Sequence, residues 1–203
     1  MEFSMEMSRR AMLERAMLLV GATVAVGGCK LSPGDGADPN FKFAEAQYRT
    51  LTALADTLLP KGDSVGALDA KAPAQIEGLI RNWASKETRE KLLGAIDEVG
   101  ALGEGGDFAA LDPAARAAAL KPFDAAALEN VPPPEGVKVT PPFSGPFHAN
   151  PGYSKLRQLI VFAFYYSQAA LTEELPYEHN PGRWDASVPV TPETRNAGGL
   201  GFM

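Results

Sequence analysis

Apolar side chains recur every three or four residues between positions 43 and 100, the spacing that places them on one face of a helix. The first predicted helix ends at Pro60, the second begins near Pro73, and the third follows Ser85, a residue type that caps helix N-termini. The three apolar stripes comprise Tyr48, Leu51, Leu54, Ala55, Leu58 and Leu59, then Ile76, Leu79, Ile80 and Trp83, then Leu92, Leu93, Ile96 and Val99.

A glycine-rich break at residues 103–106 separates these helices from an alanine-rich segment. Asp112 and Pro113 supply a cap and a first-turn proline for a helix over 114–120, and a further short helix is predicted at 125–129. Seven prolines between residues 131 and 151 exclude regular helix there and favour an extended connector. No β-hairpin signal is present.

The most hydrophobic segment beyond residue 30 is 156–171, which is apolar nearly all round and therefore predicts a helix buried on several sides. Its four polar residues, Arg157, Gln158, Ser167 and Gln168, argue against a membrane span. Periodicity ends after Leu175. The pattern predicts an all-α fold: a small irregular domain of about five helices over 43–175, with a proline-rich connector and an extended C-terminal tail, 176–203.

Residues 1–29 have the composition of an export signal. Arg9 and Arg10 precede an apolar run, residues 16–28, which is too short to span a bilayer because a helix needs about 20 residues to do so. Paired arginines before a weakly hydrophobic run are typical of twin-arginine signals, which direct folded proteins across the bacterial inner membrane. We therefore expect a periplasmic protein that uses the twin-arginine translocase; the alternative is an amphipathic helix that packs on the domain.

Cys29 follows Val26, Gly27 and Gly28, and small residues before a cysteine resemble the site at which bacterial lipoproteins are cleaved and lipidated. Cys29 is thus a candidate lipidation site and membrane anchor. The alternative is that it is a small apolar residue near an ordinary cleavage site. Residues 30–42 are rich in glycine and proline and predict a flexible tether to the domain.

The composition of the 203-residue chain excludes several classes of function. A net charge of −6 leaves no broad basic surface for nucleic acid, and one cysteine with two histidines disfavours a zinc, haem or iron–sulfur site. His148 and His179 lie in proline-rich segments, where local hydrogen bonds are the favoured interpretation, and Glu173 with Glu174 is interpreted as solvated charge. No Gly-x-Gly-x-x-Gly follows a strand, so we expect no flavin or nicotinamide site, no metal and no catalytic residue in this chain.

The tail combines aromatic residues with an arginine in a segment without helical periodicity, a composition typical of interface anchors. Within the tail, the predicted partner interface comprises Tyr177, Pro181, Gly182, Arg183 and Trp184. An alternative for Trp184 is that it folds back on the core of the domain itself.

With these features the chain resembles the gluconate 2-dehydrogenase subunit 3 family, the small subunits of membrane-associated sugar dehydrogenases. Four features carry the resemblance, in the family's order: the twin-arginine leader; Leu-Ala-Asp-Thr-Leu-Leu-Pro at 54–60; residues 108–120 with their Pro-Ala-Ala-Arg core; and Phe-Tyr-Tyr-Ser at 164–167, followed by Tyr177 and by Pro-Gly-Arg-Trp-Asp at 181–185.

The resemblance implies a non-catalytic companion of a large FAD-dependent subunit of the glucose-methanol-choline class. It also implies that Tyr165 and Tyr166 belong to the partner interface, together with the tail. That subunit would oxidise a sugar or polyol hydroxyl, as in a glucoside 3-dehydrogenase, be exported folded by this chain's leader, and pass electrons to a cytochrome c. The sequence leaves the oxidised hydroxyl open. Two alternatives remain: a stand-alone exported helical lipoprotein that binds a ligand or envelope component, and an enzyme that depends on His148 or His179.

Overall fold

A computed structural model describes residues 38–137 and 145–175, together with the single residues 187, 189 and 191. These residues confirm the all-α class. The helices are α1 (Glu45–Leu58), α2 (Ala72–Trp83), α3 (Lys86–Gly100), α4 (Pro113–Ala127) and α5 (Pro151–Tyr165). Short 3₁₀ turns cover Glu104–Gly106 and Phe108–Ala110, and a π-helical turn covers Ala170–Glu174.

The core lies where α3 packs against both α1 and α5, with α2 against α5 and α1. The predicted stripes supply most of it: Leu51 and Leu54 from α1, Ile76 and Ile80 from α2, and Leu92, Ile96 and Val99 from α3 are fully buried, together with Leu156 and Ile160 from α5. Phe108 adds a buried ring from the 3₁₀ turn that packs on α1 and α3.

The domain begins before its predicted boundary. Residues 38–42, which the sequence places in the flexible tether, pack on α2: the N–H of Asp38 donates to the carbonyl of Arg81 at 3.0 Å, and Arg81 Nε donates to the carbonyl of Phe41 at 3.0 Å. Phe41 and Phe43 are buried with their rings edge to face, 5.2 Å apart. The glycine and proline content of the segment predicted flexibility. Burial of the single aromatic ring of Phe41 nevertheless attaches the segment to the domain.

Helix α4 runs without interruption through Pro122, so the two predicted helices, 114–120 and 125–129, are one. Asp112 caps it as predicted, accepting a hydrogen bond from the N–H of Ala115 at 2.9 Å. Pro122 lacks the N–H that would bond to the carbonyl of Ala118. Both residues are exposed, so water can satisfy that carbonyl and the helix continues.

A two-stranded antiparallel pair, β1 (Asn130–Val131) and β2 (Phe147–His148), joins the two ends of the proline-rich connector. The sequence carries no β-hairpin signal for this pair, because the strands are two residues long and the chain between them is far longer than a hairpin turn. The pairing delivers the chain to α5, where Asn150 caps the helix by accepting a hydrogen bond from the N–H of Tyr153 at 2.9 Å.

The glycine-rich break between α3 and α4 forms a tight turn. Gly103, Gly105 and Gly106 have φ values of 89°, 81° and 67°, a backbone region that favours glycine. A Cβ on Gly103 would lie 2.5 Å from Cδ1 of Leu111. Within residues 38–102, which the structure describes, helix α3 and not a strand leads into this turn, so its glycines lack the strand–turn–helix setting of a dinucleotide-binding loop.

Helix α5 starts directly against the backbone of α3. A Cβ placed on Gly152 would lie 2.6 Å from the carbonyl oxygen of Lys91, a separation that side chains do not tolerate. Nearby, Asn150 Nδ2 donates to Glu98 Oε2 at 2.6 Å. The absence of a side chain at position 152 therefore sets the distance between these two helices.

A buried tyrosine links α5 to α4. The hydroxyl of Tyr153 donates to Asp124 Oδ1 at 2.8 Å, and Arg157 Nε pairs with the same oxygen at 3.3 Å. Burial, reinforced by the hydrogen bond to Asp124 and by its negative charge, raises the pKa of Tyr153 above its ordinary value of 10.0. The phenol therefore stays protonated and keeps donating throughout the neutral range.

We expect Tyr153→Phe to lower the free energy of unfolding by about 1–2 kcal/mol at neutral pH, because a hydrogen bond to a carboxylate is lost. The folded-state pKa lies above the unfolded value, so this contribution is complete below about pH 10 and declines as the pH rises through the folded-state pKa. Urea titrations at several pH values should show the difference from wild type shrinking above about pH 10. A difference that stays constant into strong alkali would contradict this assignment; exposed Tyr48, changed to Phe, serves as control.

Candidate partner interface

Helix α5 ends in a group of exposed aromatic side chains. Phe162 and Tyr166 are each 49% exposed and stack with ring centroids 4.1 Å apart, and Tyr165 is 39% exposed. The prediction that this segment is buried on several sides is wrong for this face. The neighbouring elements cover only the opposite side of α5, so hydrophobicity all round the helix leaves one aromatic face in solvent.

Tyr165 packs against Phe164, which is buried. Phe164 and Ala170 form a small buried cluster with Ala70, and the side chains of Leu59 and Val65 pack against it. The ring of Tyr165 meets that of Phe164 edge to face at 4.9 Å. The segment after α1 therefore fixes the end of α5 and the direction of its exposed rings.

Buried Ser167 organises the turn that follows these tyrosines. Its hydroxyl oxygen accepts a hydrogen bond from the N–H of Ala170 at 3.1 Å, and the carbonyl of Ser167 accepts one from the N–H of Leu171 at 3.0 Å. In Phe-Tyr-Tyr-Ser at 164–167, the two exposed rings thus stand between two buried residues. The buried members of this motif support the exposed ones.

Trp83, which the sequence assigns to the core stripe of α2, is 70% exposed. Its helical position does match that of buried Ile76 and Ile80, but Trp83 is the last residue of α2, where the chain turns towards α3. The position of a residue around the helix axis predicts the direction in which its side chain points. It does not predict whether a neighbouring element extends far enough to cover that side chain. The exposed tryptophan is therefore a candidate interface residue, although its helical periodicity had indicated a core position.

Helices α2 and α5 run antiparallel, with a cavity at each end of their contact. Lys71 and Gln75, at the start of α2, line a polar cavity of about 630 Å³ together with Gln168 and Thr172, which follow α5. The other end of α2 lines a shallow groove with the first half of α5. The exposed rings of α5 therefore lie along the same helix pair as Trp83.

Two of the motifs singled out in the sequence meet in space. Arg116, from the Pro-Ala-Ala-Arg segment of α4, donates through Nη1 to Asp56 Oδ2 at 3.2 Å and to the carbonyl of Ala53 at 3.3 Å. Its Nε donates to the carbonyl of Leu111 at 3.2 Å. The side chain of Arg116 is 14% exposed and that of Asp56 is 32% exposed. This contact fastens α4 to α1 and explains why both motifs carry a charged residue.

The structure describes three of the residues considered as candidates for catalysis: His148, Glu173 and Glu174. His148 Nδ1 lies 2.9 Å from the carbonyl oxygen of Leu128, so this histidine is hydrogen-bonded to the end of α4, 20 residues away in sequence, and not within its own segment. Glu173 is exposed and Glu174 is partly buried in the π-helical turn. In residues 38–137 and 145–175, no group of three His, Cys, Asp or Glu side chains could hold a metal ion.

Several predicted site residues lie outside the residues that the structure describes: Arg9, Arg10, Cys29, Tyr177, His179, Pro181, Gly182, Arg183 and Trp184. Their assignments stay predictions. Of the predicted interface, the structure places Tyr165 and Tyr166, and it adds the neighbouring exposed ring of Phe162. Trp83 is also exposed, at the other end of the contact between α2 and α5. Across the described part of the chain, each helix is too short or too polar to traverse a bilayer.

Comparison with known proteins identifies the family. The family model for gluconate 2-dehydrogenase subunit 3 matches residues 45–182, a range that includes α1 to α5, the contact between Asp56 and Arg116, and the exposed tyrosines. No curated protein and no solved structure gives a significant match. The match covers well over half of the chain and confirms the resemblance recognised in its motifs. The chain thus belongs to the gluconate 2-dehydrogenase subunit 3 family and is an accessory subunit of a dehydrogenase complex.

Proposed function

We propose that this chain is the non-catalytic small subunit of a periplasmic FAD-dependent sugar or glycoside dehydrogenase, and that it stabilises the large catalytic subunit and escorts it out of the cytoplasm. The family match over residues 45–182 carries the proposal. The paired Arg9 and Arg10 support export by the twin-arginine route, which accepts folded cargo. Cys29, if lipidated, anchors the complex at the membrane.

The exposed aromatic end of α5 supports a role in binding a protein partner. Monomeric proteins rarely expose several neighbouring large apolar side chains unless these contact another molecule. Tyr165 rests on buried Phe164, and Phe162 stacks on Tyr166, so these rings are already partly ordered and lose less conformational entropy when they are covered. Each ring buried on assembly contributes roughly 1.5–3 kcal/mol. Residues 176–185 follow directly and extend this surface in our proposal.

In this proposal, the large subunit catalyses the reaction and this chain stabilises and exports it. The large subunit binds FAD, which accepts a hydride from the substrate carbon, and a cytochrome c then takes up the electrons. This chain supplies surface, support and an export signal. The partner to be tested is a flavin-dependent dehydrogenase of the glucose-methanol-choline class, without its own signal sequence, encoded beside this gene.

The export role predicts that Arg9→Lys with Arg10→Lys abolishes delivery of the catalytic subunit to the periplasm. The translocase recognises the arginine pair, and the large subunit has no other route in this proposal. The measurement is bound flavin and dehydrogenase activity in periplasmic and cytoplasmic fractions after co-expression. We expect a loss of more than about tenfold from the periplasm, with the flavoprotein retained in the cytoplasm.

The matched control is Arg15→Lys, the same exchange within the leader but outside the pair. It should leave periplasmic flavoprotein at the wild-type level. Undiminished periplasmic flavoprotein in the double variant would refute the escort role. A chain that purifies as a stable monomer and never associates with the flavoprotein would instead favour a stand-alone lipoprotein.

A further inference from the structure

A shallow, mainly apolar groove of about 320 Å³ lies between α2 and α5. Leu79 and Trp83 form its α2 side, and Leu159 and the side chain of Lys155 form its α5 side. The floor consists of buried core residues, so the groove is a rigid depression on the packed helices. With 70% of its side chain exposed, Trp83 stands at the edge of this depression.

The groove continues into the exposed aromatic rings of α5. Lys155, Leu159, Phe162 and Tyr166 are spaced by four, three and four residues, which places them along one face of the helix. The stacked rings of Phe162 and Tyr166 therefore extend the apolar surface from the groove towards the end of α5. A partner that covers the tyrosines and follows this face reaches Trp83.

The charges around the groove favour an acidic group on the partner. Arg157 pairs with Asp124, and Arg81 pairs with Glu77 at 2.7 Å, so these two cations are already neutralised by this chain. Lys155 is exposed and forms no ion pair with the described residues. A carboxylate opposite Lys155 would complete the polar rim of an interface whose centre is apolar.

We propose that the groove between α2 and α5 is a docking site for the catalytic subunit, with Trp83 as its anchor and Lys155 facing a carboxylate of that subunit. This inference rests on the proposed function and adds a second contact to the tyrosines at the end of α5. Tryptophan is enriched among the few interface residues that carry most of the binding energy. An exposed tryptophan beside an apolar depression, continuous with further exposed rings, has that arrangement.

The test is the affinity of the full-length chain for the purified catalytic subunit, measured for wild type and for Trp83→Ser. We expect Kd to rise about 30-fold, the equivalent of losing one anchor residue. Lys155→Glu should weaken binding about five- to tenfold through repulsion of the facing carboxylate. Trp83 is exposed, so its replacement should leave the thermal midpoint of the isolated chain unchanged, which separates a binding defect from a folding defect.

Leu68→Ser is the matched control. Leu68 is also an exposed apolar residue, but it lines a separate depression with Tyr48 and Arg116. Its replacement should alter Kd by less than about twofold. Equal binding by Trp83→Ser and wild type overturns the groove assignment while leaving the companion role intact. Failure of the wild-type chain to bind the flavoprotein refutes the companion role itself.

A photo-crosslinking amino acid at position 83 identifies the occupant directly. Capture of the co-expressed catalytic subunit, identified by mass spectrometry, supports the proposal. Cross-links to a second copy of this chain, or to residues 176–203 of the same chain, overturn it because the groove would then serve self-association or internal packing.

Discussion

Gly152→Ala is expected to lower the free energy of unfolding by about 2–3 kcal/mol, because one added methyl group must displace the backbone of a neighbouring helix. The new Cβ would lie 2.6 Å from the carbonyl oxygen of Lys91 and 3.3 Å from its carbonyl carbon. A flexible side chain could move away, but this carbonyl belongs to the main chain of α3. Relief therefore requires α3 and α5 to separate along the contact that forms the centre of the core.

The control for this variant is Gly94→Ala, the same exchange within α3. No atom lies within 4 Å of a Cβ at position 94, so alanine there should raise the free energy of unfolding by about 0.5–1 kcal/mol through its better helix propensity. Urea denaturation of both variants gives the comparison. Equal stability of the Gly152→Ala protein and wild type would show that α3 and α5 lie farther apart than described.

Arg116→Ala should cost a similar amount, about 2–3 kcal/mol, because a mostly buried guanidinium leaves three acceptors without their donor. The affected acceptors are the carboxylate of Asp56 and the carbonyls of Ala53 and Leu111. Asp56 is partly exposed and regains some water, which keeps the loss below that of a fully buried pair. The thermal midpoint should fall by roughly 5–12 °C for a domain of this size.

Arg49 provides the comparison, since it pairs with Asp107 at 3.4 Å and both side chains are more than half exposed. Arg49→Ala should change the free energy of unfolding by less than about 0.5 kcal/mol. A double-mutant cycle with Asp56→Ala then isolates the coupling between Arg116 and Asp56. If Arg116→Ala is no more damaging than Arg49→Ala, the two family motifs are not joined by this contact.

Local sequence signals predicted the helices well where each signal acts within one turn. Ser85 accepts a hydrogen bond from the N–H of Thr88 at 3.2 Å, as a capping serine should, and Asp112 does the same for α4. Features that depend on distant parts of the chain were not predictable. Packing between elements determines that Asn130 pairs with His148. It also determines that no neighbouring element of the described residues buries Trp83.

Part of the candidate interface could likewise be predicted from the sequence. The interface inferred from the family resemblance included Tyr165 and Tyr166, and both residues are exposed. The role of Arg116 could not be inferred, because Asp56 lies 60 residues away in sequence. The exposure of Phe162 could not be predicted, because its helix is hydrophobic nearly all round. That pattern indicates burial but does not show which face the neighbouring elements leave exposed.

The attachment of residues 38–41 to α2 limits how far the domain can stand from a membrane. The nine residues from Cys29 to Asp38 span at most about 30 Å when fully extended. With a lipid on Cys29, the Trp83 end of α2 would be confined to a layer of about that thickness above the bilayer. A flavoprotein docked there would be held within the same distance of the bilayer, so a short tether in this chain would fix the height of the catalytic subunit above the membrane.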